Sequence, residues 1–207
     1  GSYTGAIVQW ERKFESEGWE VIANTNPTYS DNPEAGTWYY RALVKSGLCS
    51  QEYSSEFVVT VKKAPLTITA DDKSKTYGDA EPELTHTATG TLYYGDSYSV
   101  ISGVTLNTAI GTAATAGTHT IEISGGIADN YDITFVNGTL TVFKKDLTIM
   151  LLDNSKIYGS TDPVFGIEYA GFVPGEGPAN ICDEVFIYRE TGETAGTYPI
   201  KVILIGR

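Results

Sequence analysis

The sequence predicts an all-β protein made of small antiparallel β modules in tandem. Three observations carry that expectation. Apolar and polar residues alternate along short runs, as in Leu66-Thr67-Ile68-Thr69-Ala70, which is the period of a half-buried strand. No window sustains the 3.6-residue period of an amphipathic helix, which excludes an all-helical fold. The chain also repeats itself. Leu66-Thr67-Ile68 recurs as Leu147-Thr148-Ile149, and Ser74-Lys75-Thr76-Tyr77-Gly78 as Ser155-Lys156-Ile157-Tyr158-Gly159, both at an offset of 81. Pro82 and Gly90 recur as Pro163 and Gly171 at the same offset. Ala116-Gly117-Thr118 recurs as Ala195-Gly196-Thr197 at an offset of 79, which places a net two-residue deletion between. Matched spacing of this kind marks a repeated structural unit.

The 207 residues accommodate two to three small domains, and a hydrophobic content of 41% is enough for a packed core. Tyr, Thr, Val and Ile suit strands, and the 22 glycines suit the turns between them. The division expected is 1–63, a partial β domain; 64–145, a first repeat; and 146–207, a second repeat. The second ends before any counterpart of Tyr131-Asp132-Ile133-Thr134-Phe135 and the segment after it. The joints, Lys62-Lys63-Ala64-Pro65 and Lys144-Lys145-Asp146, are short and lack the Gly/Ser composition of a flexible tether. They predict limited bending and an elongated array.

In the first region, Ile7-Val8-Gln9-Trp10, Gly18 to Ile22, Thr37 to Val44, Ser46-Gly47-Leu48-Cys49 and Phe57 to Val61 read as a series of strands with turn residues between. Trp38, Tyr40, Ala42 and Val44 fall on one face, which is assigned inward. In the repeats, Leu147, Ile149 and Leu151 share a face, as do His119, Ile121 and Ile123 and their counterparts Tyr198, Ile200 and Val202. Asn137-Gly138 lies between two alternating runs and predicts a hairpin with a type I′ turn. Tyr-Gly-x-x-x-Pro, at Tyr77 to Pro82 and Tyr158 to Pro163, reads as a corner. Gly supplies an unusual backbone angle, Pro starts the next segment, and Tyr plugs the core edge with its hydroxyl near water.

Tyr77-Gly78-Asp79-Ala80-Glu81-Pro82, Gly95-Asp96-Ser97, Ala116-Gly117-Thr118 and Asn130 to Val142 together resemble the MBG family, the mostly-beta, glycine-rich repeats of bacterial surface proteins. The resemblance covers nearly all of the first copy and about three quarters of the second. It implies a stalk or adhesin module on an exported protein and brings no catalytic residues. Residues 1–63 look like the later strands of an immunoglobulin-like repeat of exported Bacteroidetes-type proteins, with Trp10 where such a fold places its core Trp. The first two strands have no counterpart, and an open sandwich would expose Trp10 and leave an unpaired edge. That resemblance also implies that a partner for Cys49 would lie in the missing strands. Immunoglobulin-like sandwiches are the expected form throughout. A β-grasp-like arrangement of the repeats, with Asp96 to Val100 as its short helix, is the alternative.

The chemistry on offer is sparse. With 14 basic against 26 acidic residues, the net charge of −12 repels phosphate backbones and anionic membranes, so neither nucleic acid nor membrane insertion is expected. No run approaches the ~18 apolar residues of a membrane span. Cys49 and Cys182 make no metal or redox motif and are expected to lie in different modules without meeting. The two histidines, His86 and His119, provide no nucleophilic triad: His119 takes the place of Tyr198 at a strand end, and His86 is expected to be exposed. Asp71-Asp72, Asp79-Glu81-Glu83 and Asp183-Glu184 are the carboxylate groups open to sugar hydrolysis, but they sit in turn-rich, solvated stretches. A calcium site from Asp71, Asp72, Asp96 or Asp129 has no EF-hand spacing. No catalytic residue, cofactor or metal site is therefore assigned.

The chain opens on Gly1-Ser2-Tyr3, without Met or a signal-peptide pattern, and reads as a processed or excised fragment. Export is inferred from module type. The first functional expectation is an extracellular, monomeric structural spacer. The second is an adhesion module for host glycan or protein, or for other surface proteins, with Trp19, Trp38 and Tyr39 as candidate ligand contacts. Strand-face packing is the competing role of those three aromatics.

Overall fold

A computed structural model describes residues 5–108 and 114–206. The opening Gly1-Ser2-Tyr3 lies outside the described residues. Among the described residues, the regular structure is all strand apart from two single 3-10 turns. The chain divides into two compact units. One comprises Gly1–Asp71, Leu84–Asn107 and Thr120–Thr139; the other comprises Asp72–Glu83, Thr108–His119 and Leu140–Arg207.

The first unit opens with a five-stranded antiparallel sheet. Strands β1 (Ala6–Phe14), β2 (Glu20–Ile22), β3 (Gly36–Lys45) and β4 (Glu52–Tyr53) take the order β2-β1-β3-β4, and β5 (Phe57–Val61) also pairs with β3. Alternation along β3 buries Tyr40 and Ala42 and half-buries Trp38 and Val44, the face expected inward. Segment 23–35 crosses that face, where a sandwich would have a second sheet. Tyr29 stacks on Trp10 at 6.1 Å between centroids, and Trp10 Nε1 donates to the Asn26 carbonyl at 3.0 Å. Trp10 is thus covered by a loop in place of a strand layer.

In the first repeat, β6 (Ala64–Ala70) is the centre of a three-stranded sheet, flanked by β8 (His86–Gly90) and β11 (Tyr131–Val136). Leu66 and Ile68 on β6 are fully buried, and Leu66 packs in a cluster with Ala128 and Tyr131. A four-stranded sheet has the order β7-β12-β10-β9, from β7 (Lys73–Thr76), β9 (Ser102–Thr108), β10 (Gly117–Ile127) and β12 (Gly138–Phe143). Ile121 and Ile123 on β10 and Leu140 and Val142 on β12 are buried, as alternation requires.

The pairing itself departs from expectation. β11 runs parallel to β6, with Tyr131 opposite Ala64, and β12 runs parallel to β7, with Leu140 opposite Lys73. Both pairs keep one sequence offset, so 64–76 and 131–143 are two long strands, each bent once and paired in a single register. Asn137-Gly138 is the bend and not a hairpin. Neither residue has a positive φ, which a type I′ turn needs at both. Gly138 is required because a Cβ there would lie 2.5 Å from the Ala70 carbonyl oxygen, and Asn137 Oδ1 accepts from the Ile123 amide at 3.2 Å. The sheets are therefore mixed, with antiparallel pairing elsewhere. The short helix of the β-grasp alternative is a single 3-10 turn, Tyr98–Val100.

The second repeat lies in the second unit. Strands β13 (Thr148–Leu151) and β14 (Ile167–Ala170) pair with Ile149 opposite Tyr169, the register of Ile68 opposite Ala88 in the first copy. Strands β15 (Glu184–Arg189) and β16 (Ile200–Ile205) form a second pair. Among the described residues no strand stands in the place of β11 or β12. Residues 154–157, the counterpart of β7, accordingly form no ladder, because a strand needs a neighbour for its backbone groups. The core positions follow suit. Ile149, Leu151, Tyr198, Ile200 and Val202 are half-buried, whereas Ile68 and Ile121 are sealed.

Candidate functional site

The repeated Tyr-Gly segment forms the same loop twice. The Asp79 amide donates to the Thr76 carbonyl, and the Ser160 amide to the Ile157 carbonyl, each at 3.0 Å. The turn places Gly78 at φ +87° and Gly159 at φ +86°, a region open to glycine without a Cβ penalty. A lysine closes each loop from inside. Lys75 Nζ donates to the Asp79 carbonyl at 3.2 Å and pairs with Glu81 at 2.9 Å. Lys156 Nζ donates to the Ser160 carbonyl at 3.2 Å and pairs with Asp162 at 2.7 Å. Sequence reasoning placed both lysines in the repeat but gave them no task.

The surroundings of the two loops differ. The Tyr77–Gly78 loop sits on a turn of the second repeat, within the second unit. Tyr77 Oη donates to Glu176 Oε1, and Gly78 lies under Val173, whose Cγ2 would collide with a Cβ at that glycine. The Glu176 carboxylate raises the Tyr77 phenol above its ordinary pKa. The turn is built by the Glu176 amide donating to the Val173 carbonyl at 2.9 Å. Its counterpart in the first repeat, the Asp96 amide on the Tyr93 carbonyl at 3.0 Å, lies within the first unit, where Tyr94 Oη donates to Asn32 Oδ1 at 3.3 Å. The Tyr158 loop has no such cover: Tyr158 is 76% exposed and Ile157 81%. The corner reading holds for the glycines and fails for the tyrosines. Tyr77 gives its hydroxyl to a carboxylate, and Tyr158 plugs no core edge.

The candidate ligand contacts of the first region are divided by the strand alternation. Trp19 and Tyr39 share one face of the five-stranded sheet, joined by Lys13, whose Nζ lies 4.9 Å and 4.8 Å from their ring centroids. Trp38 lies on the other face, against Phe14 at 5.0 Å and under Arg12 at 5.2 Å. On the Trp19 face, Arg41 stacks over Trp19 at 4.0 Å and Tyr53 at 3.8 Å and pairs with the buried Glu11 at 2.6 Å. Burial raises the Glu11 carboxyl, but hydrogen bonds from Arg41, Tyr53 and Gln9 outweigh it and leave the group below the usual carboxylate range. The faces of Trp19 and Tyr39 thus already carry cations of this chain. This network depends on pairing across β1 and β3, Glu11 opposite Arg41, and no local motif announces it.

A family model described as MBG domain (YGX type) matches residues 66–141 and again residues 147–205. The chain belongs to the MBG domain family. A second model, Domain of unknown function (DUF8696), matches residues 1–63. No curated protein and no solved structure matches the chain. The MBG domain is a non-catalytic repeat domain typical of surface proteins.

The second MBG copy holds a cleft of about 620 Å³ lined by residues 151–156, Asp162, Arg189, Glu193 and 194–200 among others. It lies between the counterparts of β7 and β10, the two strands that β12 joins in the first MBG copy. Two of its carboxylates, Asp162 and Glu193, are matched. Arg189 and Lys156 pair with both Asp162 and Glu193 and hold both below the usual range. A general acid needs the opposite shift. Two of the four calcium candidates are engaged within the fold: Asp71 accepts from Thr85 and Thr87, and Asp96 from Tyr131. Among the described residues no cluster of three metal-ligating groups occurs, and no helix is long and apolar enough to cross a membrane. His119 bonds the Thr115 carbonyl at 2.7 Å at a strand end, His86 is exposed, and Cys49 and Cys182 are both free.

Proposed function

We propose that the chain is an extracellular structural spacer, a stalk segment of a bacterial cell-surface adhesin-like protein, in which modules 1–63, 64–145 and 146–207 follow one another. Residues 1–63 are read as the immunoglobulin-like member of the series. The observation that carries the reading is the seat of the Tyr77–Gly78 loop on the Val173–Glu176 turn. A three-residue joint backed by a side-chain contact leaves little freedom for bending, which is what a spacer needs and a tethered enzyme does not. The acidic balance fits an exposed, soluble surface.

Small-angle scattering tests it. Module strands of ~8–10 residues span roughly 30 Å each, so three modules in line reach on the order of 100 Å. A maximum dimension near that of a compact globule of the same mass overturns the spacer reading.

The rival reading is an adhesion module for glycan or protein, and the shared face of Trp19 and Tyr39 favours it. It predicts binding on a glycan array or to host matrix that is lost in Trp19→Ala. The cations stacked on both rings give it the weaker support.

A further inference from the structure

The two Tyr-Gly loops have the same backbone, the same glycine angle and the same lysine clasp, yet only one is covered. On the uncovered loop Ile157 and Tyr158 are joined in exposure by Val164, which is 93% exposed. Ile157 and Tyr158 on the loop, and Val164 after it, are exposed apolar side chains that single out this segment as a place for a contact. The covered loop shows what such a contact takes: a tight turn that offers a β-branched side chain to the glycine and a carboxylate to the tyrosine hydroxyl. We propose that the Tyr158–Gly159 loop is the docking site for the corresponding turn of a further MBG module placed next in series.

The chemistry names the partner. Gly159 has no heavy atom within 4 Å of the Cβ position, so it accepts a Val-sized group with no rearrangement. The Tyr158 hydroxyl is left to a Glu or Asp, the residue types at Glu176 and Asp96 of the two turns on the page. A second copy of this chain does not fit the role, because its Val173–Glu176 turn is already covered by its own Tyr77–Gly78 loop. The proposal rests on the spacer reading for serial order alone. The contact itself is argued from the pair already formed.

The test extends the full chain after Arg207 by a repeat of residues 129–207. At the 79-residue offset this continues the second copy in frame through its last strands, the Lys144–Asp146 joint and one further module. The appended copy carries Tyr158→Phe, so that Tyr158 remains unique, and tyrosine nitration with tetranitromethane, read by peptide mass spectrometry, then reports each loop separately. In the 207-residue chain Tyr158 should react at least about tenfold faster than Tyr77, whose reaction requires local opening. In the extended chain Tyr158 should fall to the rate of Tyr77. Val173→Ala with Glu176→Gln in the appended copy alone should restore it and leave Tyr77 unchanged.

A Tyr158 rate unaffected by the extension, with the appended counterpart of the 147–207 fold showing dispersed amide signals, overturns the proposal. So does concentration-dependent protection of Tyr158 in the 207-residue chain, since the occupant is then a second copy. A fast-reacting Tyr77 overturns the contact on which the spacer reading stands, a separate failure visible before any extension.

Discussion

Lys75 and Lys156, 81 residues apart, close the same loop with the same two contacts, a backbone carbonyl four residues on and a carboxylate six residues on. Their settings differ. The Lys75 side chain is 3% exposed and that of Lys156 is 22% exposed. Glu81 has a second oxygen, Oε2, buried without a hydrogen bond, so removal of Lys75 strands a carboxylate away from water. Lys75→Met is expected to destabilise its module by about 1–3 kcal/mol. Lys156→Met should have a smaller effect, because Arg189 also pairs with Asp162. Hydrogen exchange at the Asp79 and Ser160 amides measures the two loops independently, and equal loss of protection would contradict the difference in burial.

A glycine pair separates backbone strain from docking. Gly78→Ala and Gly159→Ala both force a side chain into the left-handed region, at about 1–2 kcal/mol each. Only Gly78→Ala also drives a Cβ into Val173, which adds about 1–3 kcal/mol of overpacking. The added part should vanish in Gly78→Ala with Val173→Ala, a double-mutant cycle that needs only denaturation curves. Additive behaviour of the two changes would show that loop and turn do not meet in solution.

The network around Glu11 makes stability depend on pH in a defined direction. Its carboxyl is held below the ordinary carboxylate value of 4.5, so the unfolded chain binds a proton more readily than the folded one. The stabilisation is full above about pH 4.5 and is lost as the pH falls through the lower folded value. Denaturation followed by Trp fluorescence should show a smaller loss between pH 7 and pH 3 in Glu11→Gln than in the unchanged chain. In Arg41→Ala the emission of Trp19 should move to the red as its stacked cation is removed. An identical acid loss with and without Glu11 would remove the network from the account.

What could be read in advance follows from what alternation encodes. Leu66, Ile68 and Ile121 were legible as core because period two assigns a face. The partner of a strand is not encoded there, so the parallel pairing of β6 with β11 was hidden, and Asn137-Gly138 invited the local explanation. Lys75 was given no task in the sequence because that task depends on a carboxylate brought back by the turn. Trp19, Trp38 and Tyr39 were legible as an aromatic group. Trp38 parts from Tyr39 by alternation alone, whereas the covering of Trp19 by Arg41 depends on a β1–β3 register that closes over 30 residues.

The bend at Gly138 provides the sharpest test of the parallel reading. A type I′ hairpin would need Gly138 for its positive φ and would hold it at an open turn, where Ala costs about 1–2 kcal/mol. Here φ is ordinary and the residue is buried, and the constraint is the Ala70 carbonyl oxygen 2.5 Å from the Cβ position. A backbone atom in the centre of a paired strand cannot step aside as a side chain can. Gly138→Ala should therefore cost more than Gly159→Ala, although only Gly159 has the left-handed angle. The loss of hydrogen-exchange protection should reach both Tyr131–Val136 and Gly138–Phe143, because one bent strand carries both. If Gly159→Ala proves the costlier change, or if protection is lost on only one side of the bend, the single parallel register fails.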